Sequence, residues 1–351
     1  MKIISQLTRN KTEVFLLFIT LLLLSCNKTI NTPIEHFEKR PKHMLTASKI
    51  IDLEEFNILK PGLVIQKDDS YMIWDLNNEN IFHLVNFDSK KVRKGVRKGI
   101  GPDEIVSVMG FQLKEDRFIV YDGDTKKINH IYISSDTALV LKEIEEIKYD
   151  KLLAVTDYQG SHIVATGLLE DAWFISLKEN GEIISKVDFP DFEETHNTTG
   201  IEMSMLYLST HFVHKPDKKK LVAATAYLGL LSFLDCIDGS LQEYKQNKYY
   251  GPEFSSPQKD YIAWSKDGLI AFCGLDCDDE YVYALYSGRT LTEHGMESHH
   301  CEHLLVYDWN GNPIKHYILN VPLISMKYDK EKNRIYGIGY DPEGVFVEYQ
   351  L

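Results

Sequence analysis

The strongest constraint on the fold of this chain is a hairpin pattern of 16 residues that occurs three times. The copies begin at Tyr71 (YMIWDLNNENIFHLVN), Phe118 (FIVYDGDTKKINHIYI) and Leu304 (LLVYDWNGNPIKHYIL). Each has Asp at its fifth position, Ile at its eleventh and His at its thirteenth, and polar turn residues separate two apolar arms. Looser copies begin at Phe174 and Leu231. This repetition indicates a fold built from recurring antiparallel units.

The spacing of these units predicts an all-β fold, a six-bladed β-propeller with four-stranded antiparallel blades. Short apolar runs bounded by Asn, Asp and Gly continue from Ile50 to the C-terminus, and no window has a long helical period. The last blade supplies only three strands, so we expect the strand at Lys49–Leu53 to pair with it and close the ring. A seven-bladed ring is the alternative, and it requires additional strands between Cys273 and Glu302. The six blades are predicted near residues 60–99, 104–145, 150–190, 203–247, 259–320 and 321–351.

The N-terminus has the pattern of an export signal. Three basic residues precede the apolar run Val14–Leu24, and Ser25 and Cys26 follow the run at once. This order is typical of a signal peptide. The run is too short for a membrane-spanning helix, which needs about 20 apolar residues. We therefore predict a signal peptide over residues 1–25 that is cleaved before Cys26.

The tetrapeptide Leu23-Leu24-Ser25-Cys26 resembles the lipobox of bacterial lipoproteins. The resemblance implies diacylglycerol on the Cys26 sulfur and acyl chains such as palmitate on its new amino group; the alternative is a chance cysteine at the cleavage site. Because no acidic cluster follows Cys26, we expect a cell-envelope lipoprotein held by membrane lipid in the outer membrane, facing the periplasm. Residues 26–48 are polar without periodicity, which predicts a tether to a propeller over 49–351.

Composition excludes one class of partner. The chain has a formal charge of −13, and removal of the signal, which carries +2, leaves −15. Such an acidic protein repels nucleic acid, so no nucleic-acid partner is expected. With 44% hydrophobic and 11% aromatic residues, the chain can bury a sizeable core. We expect the propeller to be a monomeric domain.

Two segments carry a family resemblance. One is Gly99-Ile100-Gly101-Pro102-Asp103-Glu104, and the other runs from Tyr281 through LLVYDWNGNPIKHYIL to RIYGIGYDPEGVFVEYQL. Together with the lipobox, they make most of the mature chain similar to the TolB-like six-bladed propeller lipoproteins. That family has no agreed activity, so the resemblance implies the fold and not a function. The Gly-x-Gly-Pro signal also resembles the blade boundary of NHL-type propellers, which implies a blade turn made by Gly99, Gly101, Pro102 and Glu104.

A basic run lies just before this turn. It places Lys94, Arg97 and Lys98 close together on an otherwise acidic protein, after Lys90, Lys91 and Arg93. These cations form a candidate anion-binding loop for a phosphate, a uronic acid or an anionic lipid headgroup. The alternative is a solvated outer strand whose charges prevent edge-to-edge aggregation.

The segment from Cys273 to His303 is rich in soft metal ligands. Cys277, Cys301 and His303 could supply three ligands to zinc, but the second closely spaced pair of a typical zinc site is missing. In an oxidising compartment a disulfide is the competing interpretation, for example between Cys277 and Cys301, and buried thiols are a third. The sequence therefore predicts no cofactor outright and leaves calcium or zinc as alternatives.

Two function classes remain. The hairpin Asp and His residues recur in each copy, which favours a structural role such as an Asx-turn over a catalytic pair, and no G-x-S-x-G, HExxH or P-loop motif is present. We predict a membrane-anchored scaffold, without predicted catalytic residues, that binds an envelope protein, a peptide or a glycan. The alternative is a metal-dependent hydrolase or lyase acting on a lactone or an acidic sugar, for which Asp157, Asn197 and Glu202 are available. A purely structural role also remains open.

Overall fold

The computed structural model describes residues 31–135, 138–158, 162–198 and 200–351, with the backbone alone at 143–145 and 156–158. Strands form most of the regular structure and the helices are short, which confirms the predicted all-β class. Among the described residues, no helix is both long enough and apolar enough to cross a membrane.

An N-terminal segment packs onto the domain. It contains helix α1 (Pro33–His36), strands β1 (Lys42–Leu45) and β2 (Lys49–Asp52), and a 3-10 helix (Glu54–Phe56). Phe37 is fully buried, its ring meets that of Tyr307 edge-on with centroids 5.1 Å apart, and β1 pairs in parallel with residues 316–319. The predicted tether over 26–48 is therefore ordered from Pro33 onward. Burial of Phe37 and the pairing of β1 and β2 with strands of the domain fix this segment, and none of these contacts produces a periodic pattern in the sequence.

The next four groups each contain four antiparallel strands that pair in chain order. The first group is β3 (Pro61–Lys67), β4 (Ser70–Asp75), β5 (Asn80–Asn86) and β6 (Lys91–Lys98), and the short β7 (Glu104–Ile105) pairs with β6. The second is β8 (Val108–Lys114), β9 (Arg117–Asp122), β10 (Lys127–Ile133) and β11 (Ala138–Glu146). The third is β12 (Leu152–Tyr158), β13 (His162–Gly167), β14 (Phe174–Lys178) and β15 (Ile183–Val187). After a 3-10 helix (Glu193–Thr195) and α2 (Gly200–Leu206), the fourth is β16 (Thr210–His214), β17 (Lys220–Thr225), β18 (Gly229–Ile237) and β19 (Ser240–Tyr250).

The C-terminal strands form two further groups that share one long strand. A separate hairpin, β20 (Phe254–Gln258) and β21 (Tyr261–Trp264), precedes them. The fifth group is β22 (Phe272–Cys277), β23 (Tyr281–Tyr286), β24 (Cys301–Asp308) and the first part of β25 (Pro313–Asp329). Helix α3 (Leu291–His294) and a 3-10 helix (Gly295–His299) lie between β23 and β24. The sixth group is the second part of β25, β26 (Arg334–Tyr340) and β27 (Gly344–Gln350).

Strand β2 supplies the fourth strand of the sixth group. It pairs antiparallel with β27, with Lys49 opposite Glu348 and Asp52 opposite Val345, as the sequence predicted. The first strands of the groups contact one another in a closed order, from β3 through β8, β12, β16, β22 and β25 back to β3. This cyclic order around a centre is the arrangement of a β-propeller, in which small sheets surround a central axis.

The core lies between the faces of neighbouring groups. Met72 of the first group shares a buried cluster with Phe118 of the second. Phe174 of the third shares one with Leu221 of the fourth. A further cluster joins the sixth group to the first, where the Tyr71 and Phe346 rings lie 4.5 Å apart. Face-to-face packing of this kind buries both faces of each small sheet, which explains the short runs of nearly continuous apolar residues.

The repeated hairpins occupy two different places within the groups. The copies at Tyr71 and Phe118 form β4–β5 and β9–β10, the second and third strands of their groups. The copy at Leu304 forms β24–β25, the third and fourth strands of the fifth group. The repeat therefore belongs to the hairpin and does not mark a fixed position in the blade.

Candidate functional site

The repeated Asp residues close turns, and two of them also attach their hairpin to the loop before its group. Asp75 accepts hydrogen bonds from the main-chain N–H groups of Leu59 and Lys60 at 2.9 and 3.0 Å. Asp122 accepts in the same way from Val106 and Ser107 at 2.9 and 3.2 Å. Asp308 accepts from main-chain groups of its own turn. The structural role that the repetition predicted is confirmed, and none of these carboxylates lines the three cavities described below.

The repeated His residues are buried with the hairpins. The Nε2 atom of His83 lies 2.9 Å from the Asn80 carbonyl oxygen, and burial lowers the pKa of this imidazole. His316 Nε2 lies 3.0 Å from His303 Nδ1. Burial is the main cause that lowers the pKa of both His303 and His316 to about 4. His83, His303 and His316 are therefore neutral at pH 7, and they pack in the core as hydrogen-bonding groups.

The structure does not bring the candidate zinc ligands together. The Cys277 thiol donates to the His214 carbonyl oxygen at 3.1 Å, and Cys277 lies opposite Val282 near the start of β23. Cys301 lies beyond the far end of β23, about 20 Å away at 3.3 Å per residue. Within the described part of the chain, no three Cys, His, Asp or Glu side chains are grouped to hold an ion. The suggested Cys277–Cys301 disulfide is likewise inconsistent with this register, which the spacing in the sequence could not show.

The basic run lies at the outer edge of the first group. Lys94 and Arg97 line a cavity of about 420 Å³ where β6 meets β11, with Lys94 opposite Ala138. The Arg97 guanidinium forms an ion pair with the Glu104 carboxylate, with 3.4 Å between the nitrogen and the oxygen. Lys98 pairs through its main chain with Ile105, and its side chain is not part of the cavity lining. The cavity therefore holds two of the three predicted cations, and one of these is paired with a carboxylate.

Glu104 also explains the glycines of the predicted blade turn. Its carboxylate accepts a hydrogen bond from the main-chain N–H of Gly101 at 2.9 Å. A Cβ atom at Gly99 would lie 2.1 Å from the same carboxylate, so a larger residue there would displace the Glu104 side chain. Pro102 lies within this turn, between β6 and β7, where the chain leaves the first group.

The most central cavity is the channel around which the groups are arranged. It has a volume of about 290 Å³, and residues of β3, β8, β16, β22 and β25 line it. These are the first strands of five groups, and the side chains of the corresponding β12 residues 156–158 are outside the description. The polar side chains of the lining are Gln112, Thr210, His211, His214, Lys218, Cys273, Ser325 and Lys327.

Two lysines give the channel its charge. Lys327 lies on β25 and Lys218 follows β16, and no carboxylate is among the described lining residues. Burial, followed by the charge of Lys327, lowers the pKa of His211 to about 4. His211 is therefore neutral at pH 7, and the lysines supply the positive charge. The sequence did not reveal this site, because residues 210–214 (THFVH) and 324–327 (ISMK) have the pattern of ordinary strands. Their position at the centre follows only from the order of the strands.

A second cavity lies on the outer side of the fifth and sixth groups. It has a volume of about 410 Å³ and four tyrosines in its lining, Tyr281, Tyr283, Tyr317 and Tyr328. The Tyr283 and Tyr328 rings stack with centroids 4.4 Å apart, and Tyr283 donates to Asp278 at 3.0 Å. Lys330 at its rim is paired with Asp279 at 2.5 Å. In contrast to the channel, this tyrosine pocket has mixed charge.

Comparison with known proteins agrees with this architecture. The strand order and the channel define a protein of the β-propeller class. A family model described as TolB-like 6-blade propeller-like matches residues 37–330, and the chain belongs to this family. Among curated protein sequences, none matches the chain.

Solved structures resemble the chain in fold alone. A crystal structure of a Bacteroides fragilis protein, described as a "putative exported protein", is 11% identical with a TM-score of 0.52, and the match covers 89% of this chain and all of that one. Raptor from Chaetomium thermophilum is 10% identical with a TM-score of 0.51, and the match covers 92% of this chain but 30% of Raptor. The β-propeller domain of Cps50 (Swd1) from Myceliophthora thermophila is 9% identical, with a TM-score of 0.47 and 87% and 99% of the two chains covered.

Proposed function

We propose that this protein is a binding scaffold of the cell envelope and that its central channel receives an acidic group of a protein, peptide or glycan ligand. The observation that carries the proposal is the pair of lysines, Lys218 and Lys327, in a channel without a carboxylate among its described lining residues. On a chain of formal charge −13, such a channel is a local attractive centre for anions. Its concave shape and mixed apolar and polar lining suit a ligand site.

The scaffold is proposed to be a six-bladed ring. The closed order of contacts among the first strands, and the pairing of β2 with β27, support this number. The alternative of seven blades required extra strands between Cys273 and Glu302. In that stretch the described elements are β22, β23, the start of β24, α3 and a 3-10 helix.

The metal-dependent hydrolase or lyase is the less favoured candidate. Calcium and similar ions prefer carboxylate, carbonyl and water oxygens. The described channel lining instead presents amines, imidazoles and a thiol as its charged and soft groups. An ammonium group repels a divalent cation, so this lining favours an anionic ligand.

The channel is tested with anionic probes on the full-length protein. We expect fluorescein-labelled poly-L-glutamate to bind, and Lys327→Met and Lys218→Met each to raise its Kd about tenfold, or about 1.4 kcal/mol. Fluorescence anisotropy at two ionic strengths measures this, and salt should weaken binding. Unlabelled polygalacturonate, a polymer of uronic acids, serves as the competitor.

Two matched variants keep the test specific to the channel. Lys330→Met removes a cation from the tyrosine pocket, and Arg97→Met removes one from the outer cavity. Both should leave the Kd unchanged. Equal affinity of wild type, Lys327→Met and Lys218→Met would contradict the channel site, and loss of binding in Arg97→Met alone would move the site to the basic run.

We further propose that lipid on Cys26 anchors the scaffold in the outer membrane, facing the periplasm. Cys26 lies outside the described residues, and the proposal is supported by the signal sequence and by the resemblance of Leu23-Leu24-Ser25-Cys26 to the lipobox. Because each buried CH₂ contributes about 0.8 kcal/mol, several acyl chains anchor a protein firmly.

Replacement of Cys26 should abolish this anchoring. We expect wild-type protein to incorporate labelled palmitate and to enter the detergent phase of Triton X-114, and Cys26→Ser to do neither. Cys236→Ser, which changes a cysteine inside the propeller, is the control and should behave as wild type. Palmitate labelling that persists in Cys26→Ser would rule out this attachment site.

A further inference from the structure

The outermost strand of the fifth group comes from the N-terminal segment. Strand β1 pairs in parallel with β25, on the side of the sheet far from β22, the strand that lines the channel. Strands β25, β24 and β23 lie between β1 and β22. At about 4.8 Å per strand, roughly 19 Å of sheet separates this outer edge from the channel.

The outer edge is cationic, although the protein is acidic. The side chains of Lys39, Arg40 and Lys42 are all exposed, and Glu38 is the only carboxylate in this stretch. Lys315, on β25 beside β1, is also exposed. Within the described part of the chain, no carboxylate forms an ion pair with these cations. The four cations, named here the outer cationic edge, are therefore available to an anionic surface.

Apolar and aromatic side chains lie beside these cations. Met44 is 68% exposed and follows Lys42 by two positions on β1, so the two side chains share a face. The His43 ring lies 5.7 Å from the ring of Tyr317, which lines the tyrosine pocket. The pocket therefore borders β1. Lysine, tyrosine and an exposed apolar side chain together are typical of a surface that meets a membrane interface.

The chain between the proposed lipid and the domain is short. Cys26, outside the described residues, precedes Pro33 by seven positions. Seven residues span at most about 25 Å when fully extended. From Pro33 onward the segment is ordered, and the buried ring of Phe37 holds it against Tyr307 of the fifth group. The length of this chain keeps the outer side of the fifth group within reach of the bilayer surface.

We propose that the outer cationic edge docks on anionic lipid headgroups, so that the fifth group faces the membrane. This inference rests on the proposed lipid anchor at Cys26. The lipid brings the edge to the surface, and each basic residue beside an anionic membrane strengthens the association about fivefold. The channel stays clear of the bilayer, because most of the width of the fifth group lies between it and the docked edge.

Lysine acetylation in vesicles tests the docking. Lipidated protein is reconstituted into vesicles of phosphatidylcholine alone or mixed with phosphatidylglycerol, and is acetylated with uncharged N-hydroxysuccinimide acetate. Chymotrypsin cleavage after Phe37 and Leu45 then releases one peptide with both Lys39 and Lys42 for mass spectrometry. We expect both lysines to react about fivefold more slowly in the anionic vesicles. Lys142, exposed on β11 of the second group, should react equally in both.

Salt and two charge-matched variants add further readouts. In about 1 M NaCl, where the Debye length falls to about 3 Å, the slowing should disappear. Combined replacement of Lys39, Arg40 and Lys42 by glutamine should let Lys315 react equally fast in both vesicles, whereas in wild type Lys315 is slowed. The control variant replaces with glutamine three exposed lysines at the third group, Lys151, Lys178 and Lys186. It should behave as wild type.

The possible failures are distinct from one another. Equal acetylation of Lys39 and Lys42 in the two vesicles, in protein that floats with them, would overturn the docking and leave the anchor intact. Protein that does not float with either vesicle would overturn the anchor at Cys26, and with it the docking. Slowing at Lys90 and Lys91 in place of the N-terminal lysines would assign the membrane contact to the basic run and overturn this assignment.

Discussion

Replacing Asp122 with alanine is expected to lower the free energy of unfolding by about 4 kcal/mol. The carboxylate is buried and accepts hydrogen bonds from the main-chain N–H groups of Val106, Ser107 and Asp124 and from the Ser107 hydroxyl. Alanine leaves the main-chain N–H groups of Val106 and Ser107 without this partner, and each buried unsatisfied donor costs about 1–3 kcal/mol. Urea unfolding of wild type and variant measures the loss.

Two variants separate the hydrogen bonds from the charge. Asp122→Asn keeps one acceptor oxygen at the same place and should lose about half as much stability as Asp122→Ala. Asp124→Ala removes an exposed carboxylate in the same turn and should change the free energy of unfolding by less than about 0.5 kcal/mol. If Asp122→Ala is no less stable than Asp124→Ala, the carboxylate does not hold the loop.

The same carboxylate should make stability depend on pH. Burial raises the pKa of Asp122, but the hydrogen bonds from Val106, Thr125, Ser107 and Asp124 outweigh it and lower this pKa below its ordinary value. A carboxyl group with a lowered folded-state pKa stabilises the protein above its unfolded-state pKa. This contribution is lost as pH falls through the folded-state value. Wild type should therefore lose more stability than Asp122→Ala between neutral pH and about pH 3.

The sequence predicted the hairpins because their signals are local. Alternating apolar residues, polar turns and an Asp at the strand end all act within 16 residues, and the structure has these elements where they were expected. The contact of the Asp122 carboxylate with the preceding loop was not predictable in this way. The Asp122 carboxylate accepts a hydrogen bond from the main-chain N–H of Val106, which is 16 positions earlier in the sequence. The two residues come together only when the first strand of the group has paired.

The candidate site depended on register and therefore escaped prediction. Lys218 and Lys327 are more than 100 positions apart, and their common position at the channel follows from which strand of each group is innermost. The suggested Cys277–Cys301 pairing fails for the same reason. The two cysteines are close in sequence, but the strand register places them at opposite ends of β23. The residue types indicated which chemistry the lysines and cysteines could perform. Which residues lie next to them in the structure depends on the strand order, and the sequence did not show that order.

Replacing Arg334 with methionine is expected to cost about 3–5 kcal/mol, because this guanidinium joins the sixth group to the first. It contacts Asp329 at 3.0 Å and Glu348 at 2.5 Å within its own group. Across the seam, which is the boundary between the sixth and first groups, Arg334 donates to Gln66 at 3.1 Å and to the Tyr71 hydroxyl at 2.9 Å. Arg334 and Glu348 are both buried. Methionine fills similar volume but leaves Glu348 as an uncompensated buried charge, which is the costly outcome.

The control for this variant is an exposed ion pair between the sixth and fifth groups. Lys330→Met breaks the surface bond to Asp279 and should cost less than about 1 kcal/mol. Thermal unfolding and urea unfolding of both variants make the comparison. An Arg334→Met protein as stable as Lys330→Met would show that the buried network contributes nothing.

The seam itself is isolated by a double-mutant cycle. Gln66 belongs to β3 of the first group and Arg334 to β26 of the sixth, so their contact exists only when the ends of the ring meet. Gln66→Ala combined with Arg334→Met should lose less stability than the sum of the two single losses, with a coupling of about 1 kcal/mol. Strict additivity would mean that the first and sixth groups are not held together there. A measured coupling would locate ring closure in solution at the place where β2 and β27 complete the last blade.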